Sequence, residues 1–199
     1  MVIRIVTDSS CDLPVEIIDR YGIRVVPLYI NVGNQSYLDG IDLTRDEFYK
    51  KLPNFSEQPT TAVPSSQKFR AIYDALADEG ATEVLSIHIS TSLSAVVNVA
   101  NVAASETKTI HVTVFDSKQL SLGTGFLVES AAKLALAGSS VPEIIMALNE
   151  QIERTHVFAA LDTLQFMHRS GRVNSLMSTI GKILQIKPIL KMYDGKASA

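Results

Sequence analysis

Two groups of hydroxyl side chains lie in predicted loops at the junction with a following predicted helix. They are residues 90–94 (STSLS) and residues 60–65 (TTAVPS). At such a junction the hydroxyls lie beside the free backbone N–H groups of the first helical turn, where an anion is favoured. The two groups together are therefore suited to donate hydrogen bonds to one anionic head group. Ordinary helix N-capping is the alternative explanation for either group taken alone.

Catalysis by a serine nucleophile is a rival use of the same hydroxyls. Residues 90–94 lack the flanking glycines of a nucleophile elbow, and no nearby histidine stands out as a base. His88 and His111 lie inside predicted strands, so we expect both to be buried imidazoles with hydrogen-bond partners. The short run at residues 123–125 (GTG) is not long enough to indicate a phosphate-binding loop. The sequence gives no positive indication of a catalytic nucleophile.

Aspartates that follow predicted strands carry the main alternative function. If they gathered around Mg²⁺, the protein would be a metal-dependent phosphotransferase or hydrolase. Turn and capping roles explain each aspartate singly, and on that interpretation we expect no metal site and no cofactor. The candidates are Asp8, Asp12 and Asp116, followed by Asp39 and Asp42.

Short β-branched runs alternate with helical patterns along the chain, which predicts parallel strands buried under helices. Predicted strands fall near residues 3–7, 24–30, 84–89 and 110–115, and predicted helices near 13–21, 44–52, 64–78, 122–137 and 140–154. After Ser90 the valines favour a strand, but polar residues at 94, 98, 101 and 105 form one helical stripe, so we predict a helix. Ligand sites of an α/β fold lie at the carboxyl ends of its strands.

The last residues predict a hairpin that the sequence does not complete. Residues 188–193 read as a strand, Asp194-Gly195 is a strong hairpin turn signal, and the sequence ends four residues later. We therefore expect residues 1–154 to form an α/β domain with a parallel sheet and helices on both faces. Residues 155–199 are then the incomplete start of a second α/β domain.

Composition and charge exclude several classes of protein. The 199 residues are 46% hydrophobic and 20% charged, which is typical of a globular protein with a real core. A net charge of −3 does not favour nucleic-acid binding. The single cysteine, Cys11, leaves no disulfide framework, and no apolar run or leader indicates a membrane span or export, so we expect a cytoplasmic protein.

Charge is nevertheless distributed unevenly. Residues 163–199 hold 6 basic and 1 acidic residues, against 12 basic and 20 acidic ones before them. The basic end is suited to an anionic partner or substrate, and it also suggests a third alternative, a purely regulatory module that binds another protein.

Read together, these segments resemble the DegV family of bacterial fatty-acid-binding proteins. The matching segments span nearly the whole chain in family order. They are residues 7–13 (TDSSCDL), 26–28 (VPL), 39–44 (DGIDLT), 47–49 (EFY), 59–65 (PTTAVPS), 85–94 (LSIHISTSLS), 116–117 (DS), 171–173 (GRV) and 186–189 (IKPI).

The resemblance implies two α/β domains that bury a long-chain fatty acid. Its carboxylate would be held by a threonine matching Thr61 and a serine matching Ser94. Thr60, Ser92 and Ala95 are secondary head-group candidates, and Ala95 replaces the glycine that usually follows the serine.

The resemblance also implies a carrier rather than an enzyme. Such proteins are the acyl-carrying subunit of a bacterial fatty-acid kinase. They present the acid to a separate ATP-binding subunit, which phosphorylates it to an acyl phosphate destined for phospholipid synthesis, a role compatible with transient membrane contact. An arginine matching Arg172 near the pocket mouth is the candidate contact with that partner.

Overall fold

The computed structural model describes residues 2–162, 170, 189–193 and 195–198. In chain order the elements are β1 (Ile3–Asp8), α1 (Val15–Tyr21), β2 (Arg24–Val26), β3 (Tyr29–Val32), β4 (Gln35–Leu38), α2 (Arg45–Lys51), β5 (Thr60–Ala62), α3 (Ser66–Asp78), β6 (Glu83–His88), α4 (Val96–Glu106), β7 (His111–Asp116), α5 (Leu122–Leu136), α6 (Val141–Ile152), β8 (Phe158–Ala160), β9 (Ile189–Tyr193) and β10 (Lys196–Ser198).

A parallel sheet in the order β2-β1-β6-β7 forms the centre of the fold. One face packs Ile5, Leu85 and Ile87 against α1, α5 and α6. The other face packs Val6 and Val84 against α3 and α4. The strands are β-branched because both of their faces are buried, as is usual in parallel sheets. The prediction of an α/β fold with helices on both faces is confirmed, and so is the helix predicted after Ser90, which is α4.

Local sequence signals set several helix ends. Thr44 and Ser140 both cap their helices through a reciprocal capping box, with Glu47 and Glu143 as the acidic partners. Gly22 ends α1 in the left-handed conformation, at φ 60°. Helix boundaries were therefore predictable to within about two residues at these positions.

Residues 24–30 do not form the single strand predicted for them. Pro27 has no N–H with which to continue a sheet ladder, so β2 ends at Val26 and the chain leaves the central sheet there. It enters a second, antiparallel sheet in the order β4-β3-β5. Residues 60–62, predicted as a loop, are strand β5 of this sheet, with Thr61 opposite Ile30.

A third sheet, in the order β10-β9-β8, is antiparallel. Tyr193 pairs with Lys196, which confirms the predicted hairpin. The division of the chain at residue 155 into two domains stays a prediction. In the part of the chain that the structure describes, no helix has both the length and the apolar composition that crossing a bilayer requires.

Candidate functional site

A cavity of about 450 Å³ lies at the carboxyl ends of β1 and β6. These strands are neighbours, but β1 connects towards β2 on one side and β6 towards β7 on the other. This is the topological switch point at which open α/β sheets bind ligands. Its described lining residues are Ser10, Asp12, Leu28, Tyr29, Ile30, Asp39, Arg45, Phe48, Tyr49, Pro59, Thr60, Thr61, Ile89, Leu120 and Ser121.

The second sheet supplies Thr60 and Thr61 to this cavity. Both side chains are exposed, and pairing of β5 with β3 fixes their backbone. The sequence predicted hydroxyls beside a free helix N-terminus, whereas the N–H and C=O groups of Thr61 lie within a strand. Strand pairing rather than helix capping therefore positions these hydroxyls.

The loop after β6 carries the other predicted hydroxyls. The N–H of Ser94 donates to the carbonyl of Ser90 at 3.1 Å, and its Oγ accepts a long hydrogen bond from the N–H of Val96 at 3.4 Å. Ser90 and Ser92 both direct their hydroxyls to the carbonyl oxygen of Gly195 in the third sheet. Ala95 is exposed and occupies the N-cap position of α4. The hydroxyl loop is therefore fixed by a turn distant in sequence.

Ser94 is not among the described residues that line the larger cavity. Its neighbour Leu93 lines a second cavity of about 250 Å³, which is bounded by the apolar inner face of the third sheet. Leu120 contributes to both cavities, so the two adjoin at that side chain. The joint role of Thr61 and Ser94 stays a prediction.

Beneath the larger cavity a buried polar network joins β1 to β6. Asp8 Oδ2 accepts from His88 Nδ1 at 2.9 Å and from the N–H of Ile89 at 3.2 Å. His88 Nε2 lies 2.7 Å from Ser86 Oγ, which lies 2.9 Å from the hydroxyl of Tyr73. His88 is thus buried and partnered, as predicted.

The environment of this network shifts two pKa values. Burial acts to raise the pKa of Asp8, but the hydrogen bond and charge of His88, with hydrogen bonds from Ser10 and Ile89, outweigh it and hold the pKa below its usual value. Burial also raises the pKa of Tyr73 to about 12, against a smaller opposing effect of its hydrogen bond with Ser86. The carboxylate is therefore kept ionised and the phenol neutral.

A second polar cluster lies in the wall of the larger cavity. Arg45 donates from Nη2 to the carbonyl oxygen of Ser9 at 2.8 Å, and its Nη1 forms an ion pair with Asp12. Ser121 donates its hydroxyl to the other oxygen of Asp12. Sequence reasoning missed Arg45 and Ser121. Arg45 falls within the helix predicted near residues 44–52 and has no other local signal, and none marks Ser121.

The candidate aspartates have separate structural partners rather than a shared ion. Asp39 accepts from Ser9 Oγ at 2.7 Å, Asp42 from the N–H of Leu38 at 2.8 Å, and Asp116 from Thr91 Oγ1 at 2.7 Å. Among the residues the structure describes, no three histidine, cysteine, aspartate or glutamate side chains are grouped to hold a metal ion. The geometry does not favour the metal-dependent alternative.

Two other residues singled out in the sequence have different outcomes. The prediction that His111 is buried is wrong: it is exposed, because it begins β7, which is the edge strand of the central sheet. Arg172, the predicted partner contact, lies outside the described residues.

The glycines of residues 123–125 belong to helix α5 rather than to a loop. They allow close packing, since a methyl group on Gly125 would lie 2.5 Å from the carbonyl oxygen of Cys11. Gly125 therefore lets α5 approach the turn after β1, whereas Gly123 leaves room for the side chain of Val157.

Comparison with known proteins gives a consistent picture. A family model described as "Uncharacterised protein, DegV family" matches residues 2–199. A DegV domain-containing protein of Caldanaerobacter subterraneus is 38% identical over 194 residues, which cover 98% of this chain and 69% of that protein.

Solved structures give the same result. One described as showing fatty acid binding of a DegV family protein from Thermus thermophilus is 38% identical, with a TM-score of 0.89, and the match covers all of this chain and 70% of that one. Another, DegV from Bacillus subtilis, described as a fatty acid binding protein, is 32% identical with a TM-score of 0.91 over the same shares of the two chains.

Proposed function

The chain belongs to the DegV family, and on that premise we propose that it binds a long-chain fatty acid whose carboxylate is held by the hydroxyls of Thr61 and Ser94. The observation that carries the proposal is the cavity of about 450 Å³ at the sheet's switch point, which has Thr61 on its wall. Its volume lies within the range of small-molecule sites. The relatives from Thermus thermophilus and Bacillus subtilis, described as binding fatty acids, support this choice of ligand.

The acyl chain supplies most of the affinity. Burying about 15 methylenes contributes about 12 kcal/mol at about 0.8 kcal/mol each, before the costs of association and of ordering the chain. Leu28, Ile30 and Phe48 provide apolar surface in the larger cavity, and Leu190 and Met192 provide it in the adjoining one. An acyl chain that passes Leu120 would use both.

The head group requires compensation of a different kind. A carboxylate removed from water must regain hydrogen bonds, and bonds to an ionised acceptor are stronger than neutral ones. Thr61 is exposed in the cavity wall, and Ser94 Oγ accepts a long hydrogen bond from the N–H of Val96 while its O–H donates to none of the described residues and is available to the carboxylate. Thr60, Ser92 and Ala95 are proposed as secondary contacts of the same head group.

Two measurements test the ligand and its anchors. Mass spectrometry of an organic extract of the purified protein is expected to show a stoichiometric long-chain acid. Thr61→Ala and Ser94→Ala are each expected to lower fatty-acid affinity about tenfold, the effect of losing a hydrogen bond to a charged group. Ser105→Ala is the matched control, because Ser105 is an exposed serine at the far end of α4. Full occupancy of the double variant Thr61→Ala/Ser94→Ala would overturn the assignment.

We propose further that the protein is a carrier that presents the acid to a separate ATP-binding kinase subunit, with Arg172 as a contact. Purified chain with ATP alone is expected to make no acyl phosphate, whereas addition of the ATP-binding subunit of a bacterial fatty-acid kinase starts its formation. Arg172→Ala is expected to weaken that reaction and to leave fatty-acid affinity unchanged. Acyl phosphate formation by the chain alone would show an enzyme instead.

A further inference from the structure

Arg45 lines the same cavity as Thr61, and it is the residue of positive charge among the described lining residues. Its side chain is 47% exposed, and its two structural contacts are the carbonyl of Ser9 and the carboxylate of Asp12. A guanidinium has five N–H donors in a rigid fork, so the contacts with Ser9 and Asp12 do not use all of them. Arg45 is therefore held in place and still able to bind an anion.

The contacts that hold Arg45 are themselves unusually constrained. Asp12 and Ser121, which are joined by a hydrogen bond, both have backbones in the left-handed region, at φ 57° and φ 51°. Non-glycine residues in this region are strained, and such strain concentrates at functional sites. The structure thus places two strained residues in the support of one exposed cation.

The charges around the cavity indicate which kind of anion the Arg45 guanidinium is suited to bind. Asp12 is compensated by Arg45, and Asp39 is bound by the hydroxyl of Ser9. A fatty-acid carboxylate carries one negative charge and is suited by the uncharged hydroxyls proposed for it. A phosphoryl group carries about −1.5 to −2 charges at pH 7 and is best bound by a planar, bidentate donor such as arginine.

We propose that Arg45 binds the phosphoryl group of the acyl phosphate that forms on the bound acid. The inference rests on the proposed function. In that reaction a carboxylate oxygen attacks the terminal phosphorus of ATP held by the partner subunit, an O–P bond to the acid forms, and the O–P bond to ADP breaks with the electron pair leaving on ADP. The product gains charge at the carboxylate end, in the cavity that Arg45 shares with Thr61.

The test compares two ligands on the whole chain without a kinase. One is a long-chain fatty acid, and the other is the matching β-ketophosphonate, in which a methylene replaces the bridging oxygen so that the group cannot be hydrolysed. Arg45→Gln is expected to weaken phosphonate binding about tenfold or more, the effect of losing charge-assisted hydrogen bonds, and to weaken fatty-acid binding by a clearly smaller factor. Arg45→Lys is expected to fall between Gln and wild type, because an ammonium keeps the charge but not the fork.

Arg24→Gln is the matched control, since Arg24 is 46% exposed and pairs with Glu79 but does not line the cavity. It is expected to leave both affinities unchanged. A measurement on wild type alone needs no variant to fold: raising salt from about 0.1 M to about 1 M, where the Debye length falls from about 10 Å to about 3 Å, is expected to weaken phosphonate binding more than acid binding.

The outcomes separate the inference from its premise. Equal losses for both ligands in Arg45→Gln, or an unchanged phosphonate affinity, would overturn the role of Arg45 and leave the fatty-acid proposal standing. Failure of wild type to bind either ligand would overturn the proposed function itself.

Discussion

Asp8 and Asp12 lie on one short stretch of chain, and each pairs with a basic side chain. The first pair is buried and the second is exposed to solvent. The side chains of Asp8 and His88 are both 0% exposed, whereas those of Asp12 and Arg45 are 29% and 47% exposed. The buried pair accepts or donates hydrogen bonds at nearly every polar atom, so it serves to join β1 to β6. The exposed pair keeps unused donors in the cavity. Burial, rather than the identity of the charged groups, separates the scaffold from the binding surface.

The largest effect is expected from breaking the buried pair. Asp8→Ala leaves His88 Nδ1 and the N–H of Ile89 without their acceptor in a region closed to water. Removing one member of a buried pair costs about 3–5 kcal/mol, and we expect that loss in the free energy of unfolding measured in urea. Asp8→Asn keeps the shape and one acceptor oxygen, so it should lose less. If Asp8→Ala lowered the free energy of unfolding by less than about 1 kcal/mol, the buried pair would be no more important for stability than the exposed one.

The next effect concerns the turn that leads from Asp8 to Asp12. Gly125 of α5 packs against this turn, and in Gly125→Ala the new methyl group meets the backbone oxygen of Cys11, which cannot rotate away. We expect a loss of about 1–3 kcal/mol in the free energy of unfolding, as for other overpacked sites. Gly123→Ala is the comparison, because its methyl group meets the side chain of Val157 at 2.6 Å, and a side chain can shift. Equal losses would show that the turn is free to move.

The contribution of the buried pair to stability can also be measured by lowering the pH, without any substitution. Because the pKa of Asp8 is lowered on folding, its contribution to stability is fully present above the unfolded pKa near 3.8 and is lost as pH falls through the lower folded value. Protonation of Asp8 below about pH 4 should lower the free energy of unfolding of wild type. We expect this loss to be smaller than the loss that Asp8→Ala causes at neutral pH, because the protonated side chain stays in place. The slope should be shallower in Asp8→Ala than in wild type but still present, because the pKa values of Glu47 and Glu143 are lowered as well, and urea unfolding at a series of pH values measures it.

The smallest effect is expected at the exposed pair. A double-mutant cycle of Asp12→Ala and Arg45→Ala should give a coupling free energy of about 0–1 kcal/mol, because solvent screens a half-exposed ion pair. Urea unfolding of the two single variants and the double variant measures it. A coupling above about 2 kcal/mol would make this pair a structural element as well.

Much of the fold could be predicted because its signals are local. The β-branched strands, the capping boxes at Thr44 and Ser140 and the hairpin turn at Gly195 are each encoded by a few adjacent residues. His88 was correctly predicted to be buried, but the same reasoning failed for His111, because the local sequence does not show which strand lies at the edge of the sheet.

What escaped prediction depends on contacts distant in sequence. Strands β4 and β5 are short and largely exposed, so neither shows a clear alternation of apolar and polar residues. The two-residue turn at Gly33-Asn34 was the available signal for β3 and β4. Ser121 is tied to the site by Asp12, and Arg45 by Asp12 and the carbonyl of Ser9, and no pattern along the chain relates positions so far apart.

The carbonyl oxygen of Gly195 accepts hydroxyl hydrogen bonds from both Ser90 and Ser92, on the loop that leads to Ser94. These two hydrogen bonds couple the loop to the β9–β10 turn. Any ligand that holds the loop must stabilise the turn, and loosening the turn must cost the ligand affinity, by the same free energy in each direction.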